Sequence, residues 1–226
     1  MAHFDSIRVK LTNDSLWKQF HSRTTEMVVT KNGRKLFPTL QYTIEGMDPN
    51  QYYALFLHIE RTDTHRYKYV SGEWIKCGKA DNTESIKKVG HQDGVLLGLE
   101  WMRSTVCFKN VKITNNSSDS TSPSTICLTS MCKYHPVLSI YKMQSPIHSA
   151  IDSEAKQFVL PMTEFIAVTA YQNGSVTKLK VDNNPFAKGF RTGGTVDRKR
   201  SSSSPLSSDS SPKRTPSSDP IIPSSS

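Results

Sequence analysis

The stretch Tyr53-Ala54-Leu55-Phe56-Leu57-His58-Ile59-Glu60 decides the fold class. Tyr53, Leu55, Leu57 and Ile59 alternate with Ala54, Phe56, His58 and Glu60, and a period of two puts the two sets on opposite faces of a strand. Working outward, Arg66 to Val70 and Glu73 to Ile75 flank Ser71-Gly72, a hairpin turn in which glycine accepts positive φ. Val106, Phe108, Val111 and Ile113 alternate with one slip, which predicts a strand carrying a bulge. Val137 to Lys142, Phe165 to Ala170 and Ser175 to Val181 predict further strands. Helical signal is sparse. Asn13 or Asp14 caps a short helix with Leu16, Trp17 and Phe20 on one face, and a second short helix is expected to begin near Pro185. Many short strands joined by turns predict an all-β sandwich or barrel.

The 226 residues suit one large domain, and 29 Lys and Arg against 20 Asp and Glu leave a net charge of +9. That charge favours acidic partners, nucleic acid or an anionic surface. No stretch approaches the roughly 18–20 apolar residues of a membrane helix, and Met1 to Lys10 lacks the apolar core of a signal peptide, so an intracellular chain is expected. Cys77, Cys107, Cys127 and Cys132 stand at wide, irregular spacings that fit reduced thiols. Composition shifts most sharply after Arg200: Ser201 to Ser226 holds 13 Ser and 5 Pro in 26 residues, with no aromatic residue. Such a segment buries too little apolar surface to offset its ordering entropy, which predicts a disordered tail. The polar run Asn115 to Ser124, between two apolar alternations, is expected to be a loop within the domain.

The densest chemistry lies in Asn183-Asn184-Pro185-Phe186-Ala187-Lys188-Gly189-Phe190-Arg191. Asn184 suits an N-cap and Pro185 a first helical position, so Phe186 and Phe190 share a face with Lys188 and Arg191 nearby. From Val176 to Arg200, Lys178, Lys180, Lys188, Arg191, Arg198, Lys199 and Arg200 face only Asp182 and Asp197, a local excess of five positive charges. Two readings of the rings stand on residues alone: they fold back onto the core, or they enter a DNA minor groove as apolar wedges do. Likewise Arg34-Lys35 beside Gly33 is either a solvated basic turn or a pair reaching into a groove. Thr169 to Asn173 alone reads as an ordinary strand end and turn.

Longer motifs, ordered along the chain, carry a resemblance. They are Leu16-Trp17-x-x-Phe20, Thr25-Glu26-Met27-Val28-Val29-Thr30-Lys31-Asn32-Gly33-Arg34-Lys35-Leu36-Phe37-Pro38 and Gly46-Met47-Asp48-Pro49. They continue with His65-Arg66-Tyr67-Lys68-Tyr69-Val70-x-Gly72-Glu73-Trp74, Phe165-Ile166-Ala167-Val168-Thr169-Ala170-Tyr171-Gln172-Asn173, and the Asn184 to Arg191 run. With these the chain resembles a T-box domain of the Brachyury family from about Arg8 to Thr192. The resemblance implies an immunoglobulin-like β-sandwich or barrel of about seven strands with a C-terminal DNA-contacting helix, binding a T-site with a GTG-containing core. It also implies that Arg34 pairs with guanine in the major groove and that Phe186 and Phe190 enter the minor groove. Lys35, Thr169, Tyr171, Gln172, Asn173, Pro185, Lys188 and Arg191 then contact or frame the DNA. Three departures stand out: Asn116 where many members carry a Lys, Cys132 for a usual His, and Val137 where a basic residue is common. Lys79 to Glu100 matches only loosely.

The organisation expected is an N-terminal extension over 1–7, the DNA-binding domain over 8–192 and the basic Ser/Pro-rich tail over 193–226. Arg198-Lys199-Arg200 and Lys213-Arg214 have the spacing of a bipartite nuclear import signal, which predicts a nuclear address. The partners expected are double-stranded DNA, a second copy of the chain on palindromic sites, and transcriptional co-regulators, but no membrane. Cys127, Cys132 and His135 lack a fourth ligand at zinc-finger distance, and no nucleophile-elbow, His-Glu-x-x-His or P-loop pattern occurs, so no metal, cofactor or enzymatic activity is expected. The competing class is a non-specific RNA or single-strand binder that stacks bases on exposed rings.

Overall fold

The computed structural model describes residues 4–80, 86–117, 122–146 and 155–185. Its first elements are strand β1 (Arg8–Leu11), helix α1 (Asp14–His21), β2 (Glu26–Val28), the two-residue β3 (Arg34–Lys35) and β4 (Gln41–Glu45). The long β5 (Tyr52–Val70), β6 (Glu73–Lys79), β7 (Val89–Leu97) and helix α2 (Gly98–Arg103) come next. The rest is β8 (Val106–Cys107), β9 (Lys112–Thr114), β10 (Thr125–Cys127), β11 (Cys132–Met143), β12 (Ala155–Val159), β13 (Phe165–Val168) and helix α3 (Gly174–Asn183).

One large sheet runs β2-β13-β11-β5-β6, with β12 also on β11 and β7 also on β5. Two three-stranded sheets, β1-β4-β8 and β10-β9-β3, complete an all-β, immunoglobulin-like architecture. The antiparallel β5–β11 pair sets Leu55 opposite Ile140, Leu57 opposite Leu138 and Ile59 opposite Pro136. Pro136 cannot donate to a ladder, and it sits where β11 exchanges one neighbour for another: Tyr134 pairs with Phe165 of β13, and Val137 with Val159 of β12.

Tyr53, Leu55, Leu57 and Ile59 are all buried in the main core, as their alternation predicts. Leu11, Tyr42 and Ile44 from one small sheet and Ile113 and Ile126 from the other join them there. Ala54 and His58 on the opposite face are buried too, because Tyr141, Met143 and Val95 pack beside Ala54 and the His58 ring bonds the Glu60 carboxylate at 2.8 Å. In α1, Trp17 and Phe20 are buried, whereas Asn13 occupies the cap position but donates its side-chain amide to the Thr39 carbonyl at 2.9 Å. The predicted hairpin turn is present, with φ of 50° at Ser71 and 93° at Gly72.

Two expectations need correction. Ser175 to Val181 is helix, within α3, because its buried residues are Val176 and Lys180, four apart on one helical face. Counting Lys180 as polar hid that stripe. Asn184 is therefore the extended C-cap of α3, its N–H bonding the Lys180 carbonyl at 2.9 Å, and the N-cap of α3 is Asn173; directly after Asn184, Pro185 opens a 3-10 turn, as its suitability for a first helical position predicts. The residues after Pro185, where the rest of the expected second helix falls, lie outside the described residues. Finally, the slipped alternation at Val106, Phe108, Val111 and Ile113 is no bulge: β8 belongs to one small sheet and β9 to the other, and all four side chains are buried as the chain crosses between them.

Gly46 shows how tightly the N-terminal segment is held. Its φ is +79°, and a Cβ there would stand 2.3 Å from the Ser6 carbonyl oxygen, beside the 2.6 Å bond from the Ser6 hydroxyl to the Gly46 carbonyl. At Gly72, φ is +93° but nothing lies within 4 Å of the same position. Gly46→Ala should therefore cost about 3 kcal/mol, strain plus clash, and Gly72→Ala about 1 kcal/mol from strain alone. In thermal unfolding the first should fall by roughly 10 °C and the second by only a few degrees; equal losses would refute the clash.

Candidate nucleic-acid interface

Strand β3 presents Arg34 and Lys35, both exposed, and neither side chain forms a hydrogen bond or ion pair among the described residues. Their backbone is firm: Arg34 pairs with Ile113 and Lys35 with Lys112, which adds a third cation to the strip. Gly33 turns the chain into β3 with φ +71°. Next to it the Thr114 hydroxyl donates to the Thr30 carbonyl at 2.8 Å and accepts from the Asn116 N–H at 3.0 Å. Asn116 is thus anchored through its backbone at the end of β9 rather than in a free loop.

The segment after β13 is built on a buried carboxylate. Glu26, on β2, is fully buried and accepts the N–H of Gln172 at 2.8 Å, the N–H of Asn173 at 2.9 Å and the Trp74 indole N–H at 3.2 Å. Burial raises its pKa, and those three donors, with Lys180 farther off, oppose the rise. Asn173 then caps α3: its side-chain oxygen accepts the Ser175 N–H at 2.9 Å and the Ser175 hydroxyl at 2.8 Å, while its amide reaches the Arg23 carbonyl at 3.2 Å. Thr169 and Gln172 are left exposed, Tyr171 and Asn173 half-buried.

Lys180 is 5% exposed, so it does not belong to the outward basic footprint in which its sequence position places it. Its ammonium donates to the Phe37 carbonyl and lies 5.2 Å from the Phe20 ring centre, 5.8 Å from that of Phe37 and 5.6 Å from that of Tyr171. Burial pulls its pKa down to about 7; Arg34 pushes the same way and Glu26 opposes. Burial raises the Tyr171 phenol, which Arg34 acts to lower. These influences bring Arg34, Tyr171, Glu26 and Lys180 into one neighbourhood, although they are far apart in sequence.

The structure therefore gathers Arg34 and Lys35 of β3 with the Thr169 to Asn173 segment and α3, which ends at Asn184 and the exposed Pro185. Phe186, Lys188, Phe190 and Arg191, and the import-signal residues Arg198, Lys199, Arg200, Lys213 and Arg214, lie outside the described residues. Sequence reasoning missed Glu26 and Lys180 as parts of this site. Their partners are Trp74, Gln172, Phe20 and Phe37, and no local pattern joins those positions. A glutamate in the middle of Thr25-Glu26-Met27-Val28-Val29 was the one available signal.

The arrangement is an array of exposed, unpaired cations on a fixed backbone beside a capped helix, with no group of three or more metal-ligating side chains among the described residues. No helix of the described residues is long and apolar enough to cross a membrane. Against known proteins, the T-box family model matches residues 9–192. The T-box transcription factor tbx-8 of Caenorhabditis elegans is 52% identical over 202 residues, covering 88% of this chain and 64% of that protein. T-box transcription factor tbx-9 of the same organism is 46% identical over 93% of this chain and 72% of its own length. Human T-box transcription factor TBX21 is 42% identical over 82% of this chain but only 35% of its own length. The chain thus spans under two thirds of tbx-8 and about a third of TBX21. With a family match over nearly all of the strand framework and relatives of this similarity, the chain belongs to the T-box family, whose members named here are transcription factors and not enzymes.

Proposed function

We propose that this chain is a nuclear, sequence-specific double-stranded DNA-binding regulator of transcription that reads a T-site with a GTG-containing core. The observation that carries the reading is the pair Arg34-Lys35, exposed and without side-chain partners on a strand held between Gly33 and β9, next to the capped start of α3. A guanidinium with no internal partner, on a backbone fixed by β9, can pair with guanine O6 and N7 without first breaking bonds within the protein. Arg34 is the base reader in this proposal. Lys35, Thr169, Tyr171, Gln172 and Asn173 frame the backbone, and backbone contacts fix register without reading sequence.

The run from Pro185 carries Phe186 and Phe190 into the minor groove, with Lys188 and Arg191 against the phosphates. The DNA-binding domain extends over residues 8–192. The Arg198-Lys199-Arg200 and Lys213-Arg214 clusters serve nuclear import, and pairing of two copies on palindromic sites and recruitment of co-regulators complete the activity proposed.

Selection of bound duplexes from a random pool tests the reading directly. Arg34→Ala should relax preference at one guanine, losing about 1–3 kcal/mol of discrimination there, while preferences elsewhere persist. Binding to a GTG duplex no better than to scrambled duplex or single strands at physiological ionic strength would defeat the proposal in favour of a non-specific binder. Phe186→Ala combined with Phe190→Ala should weaken duplex binding at an unchanged melting temperature; a collapse of thermal stability would instead place the rings in the core. Lys188→Ala should lower affinity evenly across sequences and reduce the salt slope by about 0.9, the share of one neutralised phosphate.

A further inference from the structure

Helix α3 has little to hold it to the domain. Of its ten residues only Val176 and Lys180 are buried, and its charged or polar residues Lys178, Asp182 and Asn183 are exposed. Its start is secured by Glu26, which fixes the Gln172 and Asn173 N–H groups, and by the Asn173 cap. Its second half, which leads to Asn184 and Pro185, has Lys180 as its sole buried side chain.

A lysine is a poor choice for filling space. An ammonium in water is strongly hydrated, and the contacts that replace that water at Lys180 among the described residues are a carbonyl and three rings rather than a carboxylate, so methionine would fill the same volume without stripping a charge of water. What lysine adds is direction. The ammonium donates to the Phe37 carbonyl, two residues past β3, and is enclosed by rings from three separate segments: Phe20 of α1, Phe37, and Tyr171 of the turn before α3. Phe20 and Phe37 meet edge to face at 6.0 Å, which fixes two walls of that enclosure.

We propose that Lys180 is a positioning residue that locks the second half of α3 to the Arg34–Phe37 segment, so that the two DNA-contacting elements engage a duplex as one rigid unit. The proposal rests on the DNA reading above for its functional consequence. Its mechanical part, the lock, stands on the contacts alone. Lys180 itself touches no DNA; it acts through where it holds Arg34 and the chain leaving α3.

The test compares the whole chain with its Lys180→Met variant. Amide hydrogen exchange at Leu179 to Asn184 should speed up roughly 10-fold when the donor and the cation–ring contacts are removed, with the β5–β11 strands unchanged. Affinity for a GTG duplex should fall by roughly 10-fold at a melting temperature that stays within a few degrees. A double-mutant cycle adds a readout that general loosening would not move: Arg34→Ala and Phe186→Ala should be non-additive in the wild-type background and additive in Lys180→Met. Unchanged exchange in α3, or Arg34–Phe186 coupling that persists in Lys180→Met, overturns the proposal. Should Lys180→Met fail to fold, Lys180→Gln, which keeps a donor but no charge, takes its place. Failure of both to fold overturns the proposal as well, making Lys180 a requirement of the core. If the wild type shows no preference for the GTG duplex, the DNA reading fails while the exchange comparison still decides whether the lock exists.

Discussion

The pairing of β5 with β11 is the constraint on which everything else in the domain hangs. These strands run antiparallel with Leu55, Leu57 and Ile59 against Ile140, Leu138 and Pro136, and each carries further strands on its other edge. A register slip of one residue would turn Leu55 and Leu57 away from the core and bring Phe56 and His58 inward, so burial specifies the pairing strongly. β13 is bonded to β11 and the edge strand β2 to β13, and these two strands supply Glu26 and the start of the Thr169 to Asn173 segment. The Thr169 to Asn173 side of the candidate interface thus sits on one margin of the largest sheet, while Arg34 and Lys35 come from the β10-β9-β3 sheet.

Onto that margin the fold places two buried charges with different tasks. Glu26 replaces its lost hydration with three N–H donors, the arrangement that makes burial of a carboxylate tolerable, and in return it fixes the backbone from which α3 begins. Trp74 is one of those donors and belongs to the β5–β6 hairpin, so the hairpin arm, the parallel β2–β13 edge and the helix start share a single anchor. Lys180 lacks a carboxylate at contact distance and relies on one carbonyl and three aromatic faces. The exposed cations nearby are of the opposite kind: Arg34 and Lys35 keep their hydration and are free to exchange water for phosphate or base edges. A binding surface made this way keeps its donors unpaired while the chain beneath them is held from within.

Much of this was legible along the chain. Alternation at Tyr53 to Ile59 marked the central strand and its inward face, Ser71-Gly72 marked the hairpin, and Trp17 with Phe20 marked the buried face of α1. The ordered motifs pointed to the family that the comparisons then established. The reading failed where a residue's class misrepresents its surroundings. Val176 and Lys180 form a helical stripe only if lysine counts as a buried residue, and the run from Val106 to Ile113 keeps its apolar spacing while passing between two sheets.

Sequence by itself determined the strand-rich class, the basic character and the identity of the exposed pair Arg34-Lys35, because period, charge and turn chemistry are local properties. Only tertiary structure decided that Lys180 points inward, that Glu26 holds the start of α3, and that the run from Ser175 to Val181 is helix. Each of those outcomes depends on partners far apart in sequence, Phe37 and Phe20 for the lysine, Trp74 and Gln172 for the glutamate. The free energy of burying a charge is set by such partners and not by its neighbours along the chain.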